Sequence, residues 1–291
     1  MEMAKPTPDD VRSYYDERIA EKLRDFTHPL RRIEAAILTL AEWAPARPRR
    51  ILEIGCGIGA TSWRMARAWP QAEVIGADIS PLSIEVANTC FKRPNLSYRS
   101  GPLAEAVLEF EFDLVVMMDV YEHVAPLDRP SLHAALKTIL STESRLILMM
   151  PTSTNQTDAR LHCPEQLQPV DEDIGLSEIA TLAEQTGTRL VYYREVGIWR
   201  YGDYFHVVLS KNETLTWAAL GTPPPEGVAA LKQNIKQLLG RAVAPSASRR
   251  DYLGADLLRP RPANFARRFQ VSLAERRALA SAWPIRNRRG G

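Results

Sequence analysis

Two hydrophobic periods alternate along the chain. Residues 8–26 carry a sparse helical stripe in a polar background. Residues 29–43 carry a stronger one through Leu30, Ile33, Ala36, Ile37 and Leu40. Both predict amphipathic helices, and Pro45 and Pro48 end the second. From Arg50 onward short apolar runs alternate with helical stretches. RILEIG is followed by ATSWRMARAW, and AEVIGADI by SPLSIEVANTCF. Then come NLSYRSG, FDLVVMMD with SLHAALKTIL, and RLILMMP with SEIATLAEQTG. Ser80 suits an N-cap with Pro81 at the first helical position, and Gly187 suits a helix end. The runs are almost wholly apolar, which predicts a parallel sheet covered by helices on both faces. RLVYYREVGI and DYFHVVLS break the rhythm. They are two strand patterns joined only through 197–202, with no helix between, and predict an antiparallel pair.

After Lys211 the pattern weakens. TPPPEG reads as a linker, 226–240 and 263–282 have helical character, and Pro245, Pro260 and Pro262 keep the stretch between irregular.

Composition narrows the class. A chain of 291 residues, 45% hydrophobic and 25% charged, suits one large globular domain or a domain with an appendage. No apolar run approaches the ~20 residues that span a bilayer, and MEMAKPTPDD lacks the apolar segment of a secretory signal. Cys56, Cys90 and Cys163 are odd in number and widely spaced, which fits reduced thiols in a cytoplasmic protein. The net charge of +2 conceals a segregation. Residues 241–291 hold twelve arginines, no lysine and three acids, a balance of +9, leaving −7 on residues 1–240.

The candidate chemistry begins in LEIGCGIGA. Gly55, Gly57 and Gly59 follow the first strand and precede a helix, where glycine permits a tight turn and close approach of a ligand to the backbone. Asp78 ends the second strand, 23 residues after Gly55, in place to accept hydrogen bonds from ribose hydroxyls. Glu53 decides between ligand classes. A carboxylate beside the loop repels a pyrophosphate and suits a ligand with a cationic end, as S-adenosyl-L-methionine has.

ILEIGCGIGA, Asp78, FDLVVMMDVYEHV and the antiparallel final pair together resemble a class I S-adenosylmethionine-dependent methyltransferase, of the small-molecule O-methyltransferase-like branch. The resemblance covers about 48–210. It implies an α/β, Rossmann-like seven-stranded sheet, mostly parallel with an antiparallel final strand. An N-terminal helical cap at 1–47 and a basic, partly helical C-terminal extension at 211–291 flank the core. It also implies that Glu53 and Gly55 sit near the methionine end of the cofactor. Gly57 and Gly59 would shape the loop, Asp78 hold the ribose, Ile79 pack on the adenine, and Gly101 to Leu103 line its edge. Met118 and Asp119 would border the methionine part, and Tyr15 of the first helix would close over it. Pro102 stands where many relatives carry an acid.

Asp119, Glu122 and His123 lie just beyond the fourth strand, at the carboxyl edge where open α/β sheets bind ligands. Three readings of His123 stand open. It is a general base for an acceptor hydroxyl, its ordinary pKa near 6.5 suiting that role. Or Asp119, Glu122, His123 and His162 hold a divalent metal, although no metal is the primary expectation. Or the trio is structural. His162 and Glu165, after the fifth strand, are candidates for contact with the acceptor. His133 and His206 read as structural.

The expected activity is O-methylation of a small molecule or glycan. A nucleic-acid methyltransferase and a non-catalytic cofactor-binding scaffold are the alternatives, the arginine-rich tail suggesting the first. Phe265, Phe269, Leu273 and Leu279 fall near one helical face among those arginines. This predicts that the tail packs on its own acidic core, with a homodimer through the extension as another outcome. Truncation after Lys211 is expected to expose apolar surface and promote aggregation, with the cofactor site still formed in whatever remains soluble.

Overall fold

In the computed structural model, which describes residues 7–101, 109–211 and 269–283, the apolar runs become one seven-stranded sheet. The strands are β1 (Arg50–Ile54), β2 (Glu73–Asp78), β3 (Leu96–Ser100), β4 (Phe112–Met118), β5 (Leu140–Pro151), β6 (Arg189–Val196) and β7 (Tyr204–Ser210). Their order is β3-β2-β1-β4-β5-β7-β6. β1 to β5 are parallel, and β7 enters between β5 and β6, antiparallel to both. The central strands are buried on both faces, which is why they are apolar without alternation.

On one face, α6 (Arg129–Ile139) and α8 (Leu176–Thr186) set Leu136, Ile139, Ile179 and Leu182 against Leu52, Val115, Leu146 and Val207. A second core gathers α2 (Ile19–Phe26), α4 (Ala60–Ala68), α5 (Pro81–Cys90) and the chain around Val271. Ser80 caps α5 by accepting the Ser83 N–H at 2.9 Å, and Gly187 ends α8 in the left-handed region at φ 67. Among the described residues no helix is long and apolar enough to cross a membrane.

The cap departs from expectation. Residues 8–26 form two helices, α1 (Pro8–Glu17) and α2, broken at Arg18 with φ −95 and ψ 7. α3 (Arg31–Trp43) reaches across the sheet: Thr39 pairs with His206 Nδ1 at 2.7 Å and Trp43 meets Tyr192 at 4.6 Å. Burial lowers the His206 pKa to about 4, so a neutral ring completes the core as expected. His133 is likewise structural, held between the Tyr121 hydroxyl at 2.9 Å and Gln185 at 2.6 Å. β5 begins five residues before the expected Arg145. α7 (Ser153–His162) was not expected, because only Gln156 in it is buried and it shows no apolar stripe; its signal was Thr152, which caps it through the Asn155 N–H.

The described residues all belong to one compact unit, and 269–283 are part of it. α9 (Leu273–Ser281) starts at a capping box between Ser272 and Glu275. Of the expected 263–282, residues 269–272 are not helical and 263–268 lie outside the described residues, and Leu273 is exposed rather than packed. Phe269, just before it, is fully buried with its ring edge-on to Trp69 at 5.2 Å. This segment packs on its own chain. Phe265 and the 226–240 stretch lie outside the described residues.

Charge joins α9 to the cap. The Glu34 carboxylate on α3 accepts both terminal nitrogens of Arg64 at 2.9 Å and Arg276 Nη2 at 2.7 Å. Both arginines are buried. Their remaining donors are engaged by the carbonyls of Phe269, Val271 and Phe26. An arginine of the basic tail is thus held by a carboxylate of its own chain.

Candidate active site

The carboxyl ends of β1, β2 and β4 open into a cavity of about 660 Å³. Its floor is the loop after β1. Gly55, Gly57 and Gly59 all have positive φ, at 70, 54 and 86, a region where side chains other than glycine are strained. A β-carbon on Gly55 would lie 2.4 Å from Val120, and one on Gly59 would lie 2.6 Å from the Tyr98 hydroxyl. The loop is therefore fixed by backbone geometry and by what packs against it. A β-carbon on Gly57 would meet only Lys22 Nζ, at 3.7 Å, and one on Gly101 would meet nothing within 4 Å. Those two positions leave room for a ligand.

Asp78 shapes the loop as well as lining the cavity. Its carboxylate accepts the Gly57 N–H at 2.7 Å and the Ser80 N–H at 2.9 Å. Each oxygen keeps capacity for one more donor, as ribose hydroxyls would supply. Glu53 is buried and receives the Ser62 hydroxyl. Burial raises its pKa to about 8 against that hydrogen bond. A buried carboxyl in that state is relieved by a cation, and the Glu53 side chain lines the cavity.

The roof comes from distant segments. Arg32, from α3, donates to Asp119 Oδ2 at 2.7 Å. Asp119 sits at φ 53, the only non-glycine with positive φ among the described residues, a conformation that Asp tolerates better than most. Lys22 of α2 lies 4.8 Å above the Tyr15 ring, and burial lowers its pKa. The Tyr15 hydroxyl donates to Gln168 Oε1 at 2.7 Å.

His123 closes the set. Its Nδ1 donates to the Val170 carbonyl at 2.7 Å and lies 3.0 Å from Asp171 Oδ1, while Nε2 lies 3.7 Å from Glu122. Burial works against a charged ring, but the Glu122 and Asp171 carboxylates outweigh it and raise the pKa to about 9. That shift favours the protonated ring, whereas a general base acts from its neutral form. Glu122 is fully buried, both oxygens lack hydrogen-bond partners, and burial raises its pKa.

Of the residues expected at the site, Tyr15, Glu53, Gly55, Gly57, Asp78, Ile79, Gly101, Met118, Asp119 and His123 line the cavity. Gly59 stands one step back as the N-cap of α4. Leu103 lies outside the described residues. His162 and Glu165 do not join the others. Both are exposed, at the end of α7 and in the short turn after it, and His162 faces Asp158 at 3.9 Å. The segment contributes Gln168 instead. The alternative metal set of Asp119, Glu122, His123 and His162 is not assembled. Among the described residues no group of three or more His, Cys, Asp or Glu side chains is placed to hold a metal ion.

Sequence reasoning missed Arg32, Lys22 and Gln168. One signal was available for the first: Arg31 and Arg32 occupy the first turn of α3, where the helix dipole disfavours cations. A cation placed there against its local interest suggests a tertiary partner.

Comparisons with known proteins agree with this geometry. Residues 51–143 match the family model described as a methyltransferase domain. The ubiquinone biosynthesis O-methyltransferase of Sinorhizobium fredii (strain NBRC 101917 / NGR234) is 34% identical over 157 residues, 45% of this chain and 61% of that protein. The chain thus spans less than two thirds of the length of that curated relative. The crystal structure of magnesium protoporphyrin IX methyltransferase from Synechocystis PCC 6803 with bound SAH superposes with a TM-score of 0.56 at 16% identity. It covers 70% of this chain and 99% of that one. The cyclopropane synthase MmaA2 from Mycobacterium tuberculosis gives 0.57 at 15% identity, covering 72% and 100%. At such identities the two structures establish the fold alone. Residues 51–143 thus match a methyltransferase domain, and the chain has the Rossmann-like fold of these two structures.

Proposed function

We propose that the protein is an S-adenosylmethionine-dependent methyltransferase that methylates a hydroxyl oxygen of a small molecule. The observation that carries this is the buried Glu53 carboxyl on a cavity floor that also presents Asp78 and the open face of Gly57. That floor suits a ligand with ribose hydroxyls and a cationic end, and would oppose a pyrophosphate.

S-adenosylmethionine supplies a methyl group on a positively charged sulfur, already activated for transfer to a nucleophile. Asp78 would hold the ribose and Ile79 the adenine. Glu53 would face the cationic end, and Arg32 is placed for a carboxylate. Much of the acceleration can then come from alignment of donor and acceptor in a closed cavity. The hydroxyl acceptor is supported by the O-methyltransferase relatives. The nucleic-acid alternative loses part of its support, because Arg276 is engaged with Glu34.

Calorimetry with S-adenosylmethionine, S-adenosylhomocysteine and NAD tests the cofactor. Binding of the first two and not of NAD is expected, and the reverse would overturn the reading. Turnover against a panel of catechols, other phenols and sugars tests the acceptor. Methylation confined to nitrogen, carbon or nucleic-acid acceptors would refute it.

A further inference from the structure

The segment after α7 is tied down with more bonds than an acceptor-side surface loop needs. Asp171 is its centre. Oδ2 accepts the Gln168 N–H at 2.7 Å, Oδ1 accepts Gln156 Nε2 at 3.3 Å, and Oδ1 lies 3.0 Å from His123 Nδ1. The flanking backbone is fixed too. The Val170 carbonyl accepts His123 Nδ1, the Asp171 carbonyl accepts Arg160 at 2.8 Å, and the Glu172 N–H donates to the Glu122 carbonyl at 2.9 Å. Gln168, the residue this arrangement presents to the cavity, then meets the Tyr15 hydroxyl from α1, 153 residues away in sequence. Tyr15 and His123 line the same cavity.

We propose that His123 is a positioning residue: its Nδ1–H ties residues 167–173 across the cavity as a strap, and Gln168 of the strap latches onto Tyr15 to hold the cofactor in place. The inference rests on the methyltransferase reading for the identity of the bound ligand, but not for the strap itself. It gives His123 a role that needs its donor and not its basicity. The geometry behind it is that Nδ1 faces two acceptors, the Val170 carbonyl and Asp171 Oδ1.

The role separates cleanly from general-base catalysis, because asparagine can place an N–H donor near the position of Nδ1 while lacking a basic nitrogen. The full chain and its His123→Ala, His123→Asn, Tyr15→Phe and Gln168→Ala variants would be compared in two measurements. One is the rate of S-adenosylhomocysteine release by stopped flow, and the other is amide hydrogen exchange of residues 167–173 in the ligand-free protein. His123→Ala should release the ligand roughly tenfold faster, the scale of one lost hydrogen bond, and should speed exchange in the strap. His123→Asn should stay within about twofold of the parent in both, on the same scale. Tyr15→Phe and Gln168→Ala should each speed release, and the double variant no more than either alone. Wild-type release and exchange in His123→Ala would overturn the proposal, as would His123→Asn behaving like His123→Ala, or additive effects of Tyr15→Phe and Gln168→Ala. If the parent protein binds neither S-adenosylmethionine nor S-adenosylhomocysteine, the methyltransferase reading fails instead, and the exchange measurement still decides the strap.

Discussion

The floor of the cavity comes from one stretch, Glu53 to Ser80, whereas its roof is gathered from α1, α2, α3, the strap and α9. The floor is held by backbone. Gly55 and Cys56 both donate to the Ala77 carbonyl, at 2.8 and 3.0 Å, and the glycines sit in conformations that few other residues adopt. The roof is held by side chains that meet across long sequence separations: Arg32 with Asp119, Tyr15 with Gln168, Glu34 with Arg64 and Arg276. Backbone ties of the first kind fix a cofactor's position. Side-chain ties of the second kind can be made and broken singly, as is needed where ligands enter and leave. The difference predicts that damage to the floor is read in cofactor affinity, and damage to the roof in stability and exchange.

The largest effect should come from the roof. Glu34→Ala would leave Arg64 and Arg276 buried without their counter-ion, a kind of change that costs about 3–5 kcal/mol. Chemical denaturation should show that loss together with weaker packing of α9. Full stability in this variant would mean that α9 is not a working part of the roof. Truncation after Lys211 would remove Arg276 and Phe269 together, so the shortened protein should lose stability, expose the apolar surface around Trp69 and aggregate, with the floor still formed in what remains soluble.

Asp78→Ala attacks the floor. It removes two charge-assisted backbone contacts within the loop and the acceptors for ribose. Cofactor affinity should fall by about 2–4 kcal/mol, the scale of one or two weakened charge-assisted hydrogen bonds. Calorimetry reads this directly. If Asp78→Ala instead lowers thermal stability and leaves affinity intact, the floor is a structural turn and the division between the two regions collapses.

The floor was legible in the sequence, and the roof was not, for a physical reason. Gly55, Gly57, Gly59 and Asp78 are dictated by local geometry, and strand, loop and helix lie in order along the chain. Asp78 could be placed beside the loop because parallel pairing of β1 with β2 sets Ile54 against Ala77. Gln168 and Arg276 carry no local mark of their partners, and the first-turn position of Arg32 signals that a partner exists without naming it. Arg276 looks from composition like one of twelve cations in a tail. The helix that delivers Arg160 and Gln156 to the strap has no apolar stripe. His123 was legible as important, because it follows an apolar strand at the carboxyl edge, but its partners Val170 and Asp171 arrive through a loop whose path no periodicity reveals.

A smaller effect concerns Glu53, through pH. Burial raises its pKa from 4.5 to about 8. As a raised acid it gives the ligand-free protein stability that is fully present below about pH 4.5 and is lost as pH rises through about 8. Cofactor binding should show the opposite trend, since a cationic ligand prefers the carboxylate. Affinity for S-adenosylmethionine should rise between pH 6 and 8, by up to roughly tenfold per pH unit, and level off above. Calorimetry in buffers of different ionisation enthalpy should detect a proton released on binding at pH 7. Glu53→Gln should abolish both the slope and the proton. A flat affinity profile in the parent would place the cationic end of the ligand away from Glu53.

The smallest effect lies where floor and roof touch. Ser80 caps α5 through the Ser83 N–H, and its hydroxyl also bonds to the Asp16 carboxylate on α1. Ser80→Ala removes both interactions, whereas Asp16→Ala removes only the one that crosses to the roof. Loss of an N-cap is worth about 1 kcal/mol, and a net side-chain hydrogen bond ~0.5–1.5 kcal/mol. Ser80→Ala should therefore be the more destabilising of the two in thermal denaturation. Asp16→Ala should lower stability by no more than that one bond, yet it should speed amide exchange in α1, because α1 then loses one of its holds on the floor. Its other side-chain hold, Tyr15 on Gln168, reaches the strap instead. Combining Asp16→Ala with Gln168→Ala should loosen α1 further than either change alone while cofactor affinity falls far less than in Asp78→Ala. Equal losses of affinity in the two cases would show that floor and roof act as one unit, and that the distinction drawn from their bonding does not govern binding.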